Sequence, residues 1–213
     1  MDSITSTAAT MYSPSHFEET RLDVLHALIE AQPLGTLVMH TAVGLVADHI
    51  PFEIGAPTAE VPHGTLRAHV ARANPLWRQA GVDALVVFQG PSAYVSPSLY
   101  QEKPVSGKVV PTWNYAVVQG HGVLRAIEEP AWLLALLERL TARHEAPRAA
   151  PWAVGDAPPA YIDTLLKAIV GIEIPLDRLQ GKWKLSQNRP VADRAAIATD
   201  CAALAPLMDQ LTT

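Results

Sequence analysis

The chain has one cysteine, Cys201, in 213 residues. That excludes an intrachain disulfide and a cysteine-built zinc site, and it fits a reducing, cytoplasmic setting. Charge is sparse as well: only 17% of residues are Asp, Glu, Lys or Arg, and the net charge is −5. A strongly basic coat is missing, which argues against direct DNA contact. No apolar run approaches the ~20 residues that a membrane helix needs. Residues 1–10 are small and polar, lack the basic start and apolar block of a secretory signal, and read as a flexible extension. The sequence also has no Gly-x-Gly-x-x-Gly fingerprint, no P-loop lysine, no Gly-x-Ser-x-Gly elbow and no zinc-helix pair of histidines.

What is present is a globular composition, 49% apolar, in a length that suits one domain across residues 11–213. Ser15 to Glu18 matches a capping box, and Leu22, Leu25 and Ile29 follow at helical spacing, so a helix is expected over about 16–31. From there to about residue 127, short Val- and Thr-rich runs alternate with Gly and Pro punctuation. They fall at 35–39, 44–50, 64–70, 83–89, 93–95 and 113–126, the texture of an antiparallel barrel or sandwich. Asn74-Pro75 marks a short helix start. Leu133, Leu136, Leu137 and Leu140 predict a second helix, and Ile162, Leu165, Leu166 and Ile169 a third. A strand is expected over 170–179 and an Ala-rich C-terminal helical segment over 192–211. The class is α+β, an antiparallel sheet flanked by helices.

Three segments carry candidate chemistry. The first runs from Gly181 through Lys182, Lys184, Gln187, Asn188 and Arg189, a basic block in an acidic chain. Lysine, arginine and amides suit a phosphate, although a solvated turn before the last helix has the same composition. The second is Gly107 to Tyr115, where Thr112, Trp113, Asn114 and Tyr115 set a hydroxyl, an indole, an amide and a phenol beside a strand. Such groups can line a cleft for a planar ligand, or simply start a strand with Trp113 buried. The third holds His69, Arg72 and Asn74 before a short helix, where free amides and a guanidinium favour an anion. The eight histidines form no metal signature, and no metal is expected.

Taken in order, these blocks form a family pattern. It opens with Met11-Tyr12-x-Pro14-x-His16-Phe17 and continues through Pro33 to Leu37, His49-Ile50-Pro51-Phe52 and Ala71-Arg72-Ala73-Asn74-Pro75. Phe88-Gln89-Gly90-Pro91-x-Ala93-Tyr94-Val95-Ser96-Pro97 follows, then Val110-Pro111-Thr112-Trp113-Asn114-Tyr115, and Lys184-x-Ser186-Gln187-Asn188-Arg189. The pattern resembles the PaiB family of FMN-binding negative transcriptional regulators over about residues 11–200. The resemblance implies an FMN-binding split β-barrel, related in fold to the pyridoxamine phosphate oxidases, and a homodimer with flavin at the subunit interface. It implies Lys182, Lys184, Gln187, Asn188, Arg189, Thr112, Trp113, Asn114 and Tyr115 as flavin contacts, with His69 and Arg72 as further candidates. Where the oxidases carry Ser-Arg-Lys, this chain has Ala71-Arg72-Ala73, so only Arg72 matches. Three functions fit: a flavin-binding regulator, a flavin-dependent reductase of a small molecule, or a haem-binding split barrel with a histidine ligand.

Overall fold

The Gly- and Pro-punctuated middle of the chain forms strands, as its alternation predicts. In the computed structural model, which describes residues 10–210, nine strands join one antiparallel sheet flanked by helices. In chain order the elements are β1 (Glu18–Glu19), α1 (Leu22–Ala31), β2 (Leu34–Thr41), β3 (Gly44–Pro51), β4 (Glu53–Gly55), β5 (Thr65–Ala71) and β6 (Asp83–Val95). There follow β7 (Thr112–Val123), β8 (Arg125–Ile127), α2 (Pro130–Glu145), α3 (Pro159–Leu166), β9 (Ile169–Lys184), α4 (Val191–Asp200) and α5 (Ala205–Asp209). The sheet order is β3-β2-β6-β7-β9-β5-β4, with β1 and β8 also on β9. The extension expected over residues 1–10 lies, but for Thr10, outside the described residues.

The chain forms two compact units. The first comprises Met1–Thr20, Gly90–Val117 and Gln180–Thr213; the second comprises Arg21–Gln89 and Val118–Leu179. In the second unit, β2 pairs antiparallel with β3 and with β6, and β5 pairs with β4 and β9. The period-two burial of β2 sends Leu37 and Met39 inward, onto a core that includes Val86, Leu66 and an edge-to-face Phe52–Phe88 pair at 5.9 Å. Gly122 is required for close packing: a Cβ there would lie 2.2 Å from the carbonyl oxygen of Pro175. Ion pairs cover this unit, among them Arg67–Glu173 at 3.4 Å and Arg139–Glu53 at 2.7 Å. In the first unit, β1 pairs with the end of β9, Glu18 opposite Lys182.

Four local expectations are revised. The capping box does not form: Ser15–Phe17 is a short 3-10 turn, and α1 starts at Leu22 behind Arg21. Pairing of Glu18 with β9 sets the backbone of that segment, a tertiary contact that outweighs a local cap. The strand expected over 170–179 runs on to Lys184, so Lys182 and Lys184 lie on a strand. The third apolar stripe is cut short: α3 ends at Leu166 and Ile169 already belongs to β9. The C-terminal helix is two helices, broken at Cys201, because Pro206 has no N–H for a helix interior and its ring clashes with the preceding turn.

Candidate functional site

The basic block and the aromatic–amide block meet within the first unit. The end of β9, the turn after it, the start of β7 and the segment before β7 enclose a cleft of about 200 Å³. Thr112 and Asn114 from β7, Lys184 from β9, and Ser186, Asn188 and Arg189 from the turn line it, with Phe17 and Tyr100.

Local bonding fixes the turn. Ser186 takes φ 62°, a left-handed conformation that costs a non-glycine residue, and its carbonyl accepts from Arg189 N at 2.9 Å. Gln187 staples the strand end: its Oε1 accepts from Leu185 N at 2.8 Å, and its Nε2 donates to the Trp183 carbonyl. The Asn114 amide meets the Ser186 hydroxyl, with Nδ2 at 3.0 Å and Oδ1 at 3.1 Å, and both residues are buried. A buried polar pair of this kind ties β7 to the turn, since either partner left alone would be desolvated without compensation.

Two cations then face the cleft. The Lys184 ammonium donates to the Thr112 hydroxyl and to the Trp113 carbonyl, which leaves one of its three N–H groups. Burial, and next the charge of Lys182, hold its pKa below the usual lysine value. The Arg189 guanidinium lies 4.4 Å from the centre of the Tyr100 ring and makes no hydrogen bond or ion pair among the described residues. Tyr100 is 2% exposed, and its hydroxyl is buried without a partner. An unengaged guanidinium, a spare ammonium proton and an orphaned phenol on one cleft are donors suited to an anion.

The other sequence candidates are placed elsewhere. Strand alternation separates Trp113 and Tyr115 from Asn114; neither lines the cleft, and Trp113 is 57% exposed, edge-to-face with Tyr94. Lys182 donates to the Tyr12 carbonyl at 2.8 Å and lies over the Tyr12 and Tyr115 rings. Gln187 is engaged in the staple. His69 and Arg72 belong to the second unit. The His69 Nδ1 is buried without a partner, and burial lowers the imidazole pKa. Arg72 has all three nitrogens engaged, with Nε on the Lys167 carbonyl at 2.8 Å, another donor on the Ile169 carbonyl at 3.1 Å, and an ion pair to Glu128. It borders a second cleft of about 440 Å³, with Glu128, Asp163 and Lys167. Burial and Asp200 raise the Cys201 thiol, which makes it a poor nucleophile. Sequence reasoning missed Tyr100 and Phe17, because nothing in their spacing distinguishes them from core aromatics. Ser186 was within reach, since it sits inside the basic block.

The fold is that of the split barrels, as the motif blocks implied. The FAD and haem binding protein of Mycobacterium smegmatis superposes with a TM-score of 0.57 at 17% identity, over 84% of this chain and 78% of that one. The flavocytochrome Anf3 of Azotobacter vinelandii does so with 0.59 at 12% identity, over 86% and 78%. At such identities the likeness is one of fold.

Sequence relatives define the family. Residues 11–178 match the family described as "Putative FMN-binding domain". The protease synthase and sporulation protein PAI 2 of Bacillus subtilis is 34% identical over 86% of this chain and 85% of its own. An uncharacterized protein of Emericella nidulans is 36% identical, over 88% of each. The chain belongs to this family, the PaiB family of the motif pattern. The matched stretch ends at 178, before Lys184 and Arg189. Among the described residues no helix is long and apolar enough to cross a membrane.

Proposed function

We propose that the protein binds FMN, as a homodimer in the cytoplasm, and that the cleft between β7 and the end of β9 receives the phosphate. The observation that carries this reading is the guanidinium of Arg189, stacked on Tyr100 and otherwise unengaged, beside a lysine with a free donor. A phosphate dianion satisfies both, and it accepts from the Asn188 amide as well. The cleft is smaller than the ~300 Å³ and above usual for a whole cofactor, so it fits the phosphate end. The exposed Trp113 and Tyr94, with a second subunit, offer the apolar wall for the ring. A bound flavin supplies one- and two-electron redox chemistry. This chain's part is to hold and orient it. The family's description as an FMN-binding domain favours flavin over haem. With a net charge of −5, regulation through a partner fits better than direct DNA contact.

The test is titration of Arg189→Ala and Lys184→Ala with FMN by fluorescence quenching, with riboflavin as control. A charge-assisted contact contributes roughly 1.5–3 kcal/mol, so FMN affinity should fall about 10- to 150-fold while riboflavin affinity holds. Equal loss for both ligands, or for neither, refutes the assignment. Light scattering at micromolar concentration checks the dimer; a clean monomer opposes it.

A further inference from the structure

Residues 101–111 form an exposed strap that leads into β7, and both of its ends are held by the two cations of the cleft. At the entry, Tyr100 is buried beneath the Arg189 guanidinium. Next to it, Gln101 N donates at 3.0 Å to Oδ1 of Asp193, a carboxylate only 3% exposed. At the exit, Lys184 holds the Thr112 hydroxyl and the Trp113 carbonyl. Between the ends the strap closes on itself: Val105 N and Ser106 N donate to the Glu102 carbonyl at 3.2 and 3.0 Å, and Gly107 takes φ 68°.

We propose that this strap reports ligand occupancy: an anion held by Lys184 and Arg189 orders residues 101–111, and its departure loosens them. The inference rests on the phosphate reading of the cleft. Each cation anchors one end of the strap while keeping donors free, so an anion that bridges the two immobilises both anchors together. It also offsets the repulsion between Lys184 and Lys182. The coupling is reciprocal, since an ordered strap raises affinity for the anion by the same factor. Asp193 acts here as a positioning residue: it fixes Gln101 and thereby the Tyr100 ring on which Arg189 rests. Lys108 and Val105 are exposed on the strap and would present a surface whose order depends on the ligand.

Lys108-Val109 is a trypsin site at the centre of the strap, whereas Lys103 precedes Pro104 and resists cleavage. The experiment follows nicking after Lys108 in the full protein, alone and with saturating FMN, riboflavin or inorganic phosphate, alongside hydrogen exchange across 101–111. FMN should slow nicking about 5-fold or more. Phosphate should protect in part, riboflavin should not, and Arg189→Ala should abolish the FMN effect. Equal nicking with and without FMN, when fluorescence shows the site filled, overturns the inference and leaves the cleft assignment standing. Equal protection by riboflavin overturns it too. If neither Arg189→Ala nor Lys184→Ala weakens FMN, the cleft assignment itself fails. Asp193→Asn keeps an acceptor oxygen and should retain FMN affinity, whereas Asp193→Ala should lose FMN affinity but not riboflavin affinity. An unchanged FMN affinity in a folded Asp193→Ala variant refutes the positioning role, and the wild-type nicking assay decides the rest without any substitution.

Discussion

Five arginines of the second unit and two cations of the first are held in different ways. In the second, Arg67, Arg72, Arg139, Arg143 and Arg148 each face a carboxylate within 4.0 Å, and burial of apolar side chains does the rest. In the first, Lys184 and Arg189 face neutral oxygens and an aromatic ring, next to a buried phenol with no partner and a serine in a left-handed conformation. Those five arginines are paired by the fold, whereas Lys184 and Arg189 keep donors open; the second unit's own orphans, His69 Nδ1, His121 Nε2 and Arg178 Nε, are not among the residues that line its cleft. Unsatisfied polar groups and backbone strain lower stability, and they persist where a ligand completes them.

A core truncation should separate the two most sharply. Leu136→Ala, at a fully buried position of α2, should cost about 2–5 kcal/mol in urea unfolding and leave FMN affinity per folded molecule unchanged. A parallel loss of affinity would break the distinction between a stabilising unit and a binding one. Next in size, Asn114→Ala strands the Ser186 hydroxyl. It should cost about 1–3 kcal/mol and weaken FMN as well, because the turn that carries Arg189 loses its tie to β7. Thermal melting and titration measured on the same preparation check both effects. Arg72→Ala should lower the melting temperature slightly, a half-exposed ion pair being worth up to about 1 kcal/mol, with FMN affinity unchanged. A selective loss of FMN in that variant would move the phosphate to the second unit.

The smallest effects are in pH, and they should differ in kind. His69 has a folded pKa below its ordinary 6.5 because of burial, so the unfolded chain binds its proton first. Its contribution to stability is complete above 6.5 and is lost as the pH falls toward the folded value. His69→Gln should flatten that acid limb in urea titrations at pH 5–7. Lys184 is depressed below 10.5, so FMN affinity should fall on the alkaline side before an ordinary lysine would titrate. Calorimetry in two buffers along that alkaline limb should then show proton uptake on FMN binding and none with riboflavin.

The strands were legible because β2, β5 and β7 alternate with period two between Gly and Pro breaks, a local pattern that survives packing. The Asn74 cap was legible for the same reason: its side chain accepts from Leu76 N at 2.9 Å, as the Asn-Pro pair implies. The Ser15 cap and the single C-terminal helix were not, since each was decided by a partner or a proline effect that local periodicity ignores. At the candidate site, the sequence marked two segments that the structure brings to one cleft, and it could not resolve which of their side chains share a face. Trp113 and Tyr115 flank Asn114 in the sequence, yet they are absent from the cleft that Asn114 lines.

By itself the sequence determined the family, the β-rich class and the basic character of the block from Lys182 to Arg189, because motif blocks and hydrophobic period are local. Only the tertiary structure decided that Lys184 and Arg189 share a cleft with Tyr100 while Arg72 is bound into an ion pair and two carbonyls. Whether a cation is free to bind depends on which oxygens the fold brings within reach, and those come from residues up to 97 positions away in the chain.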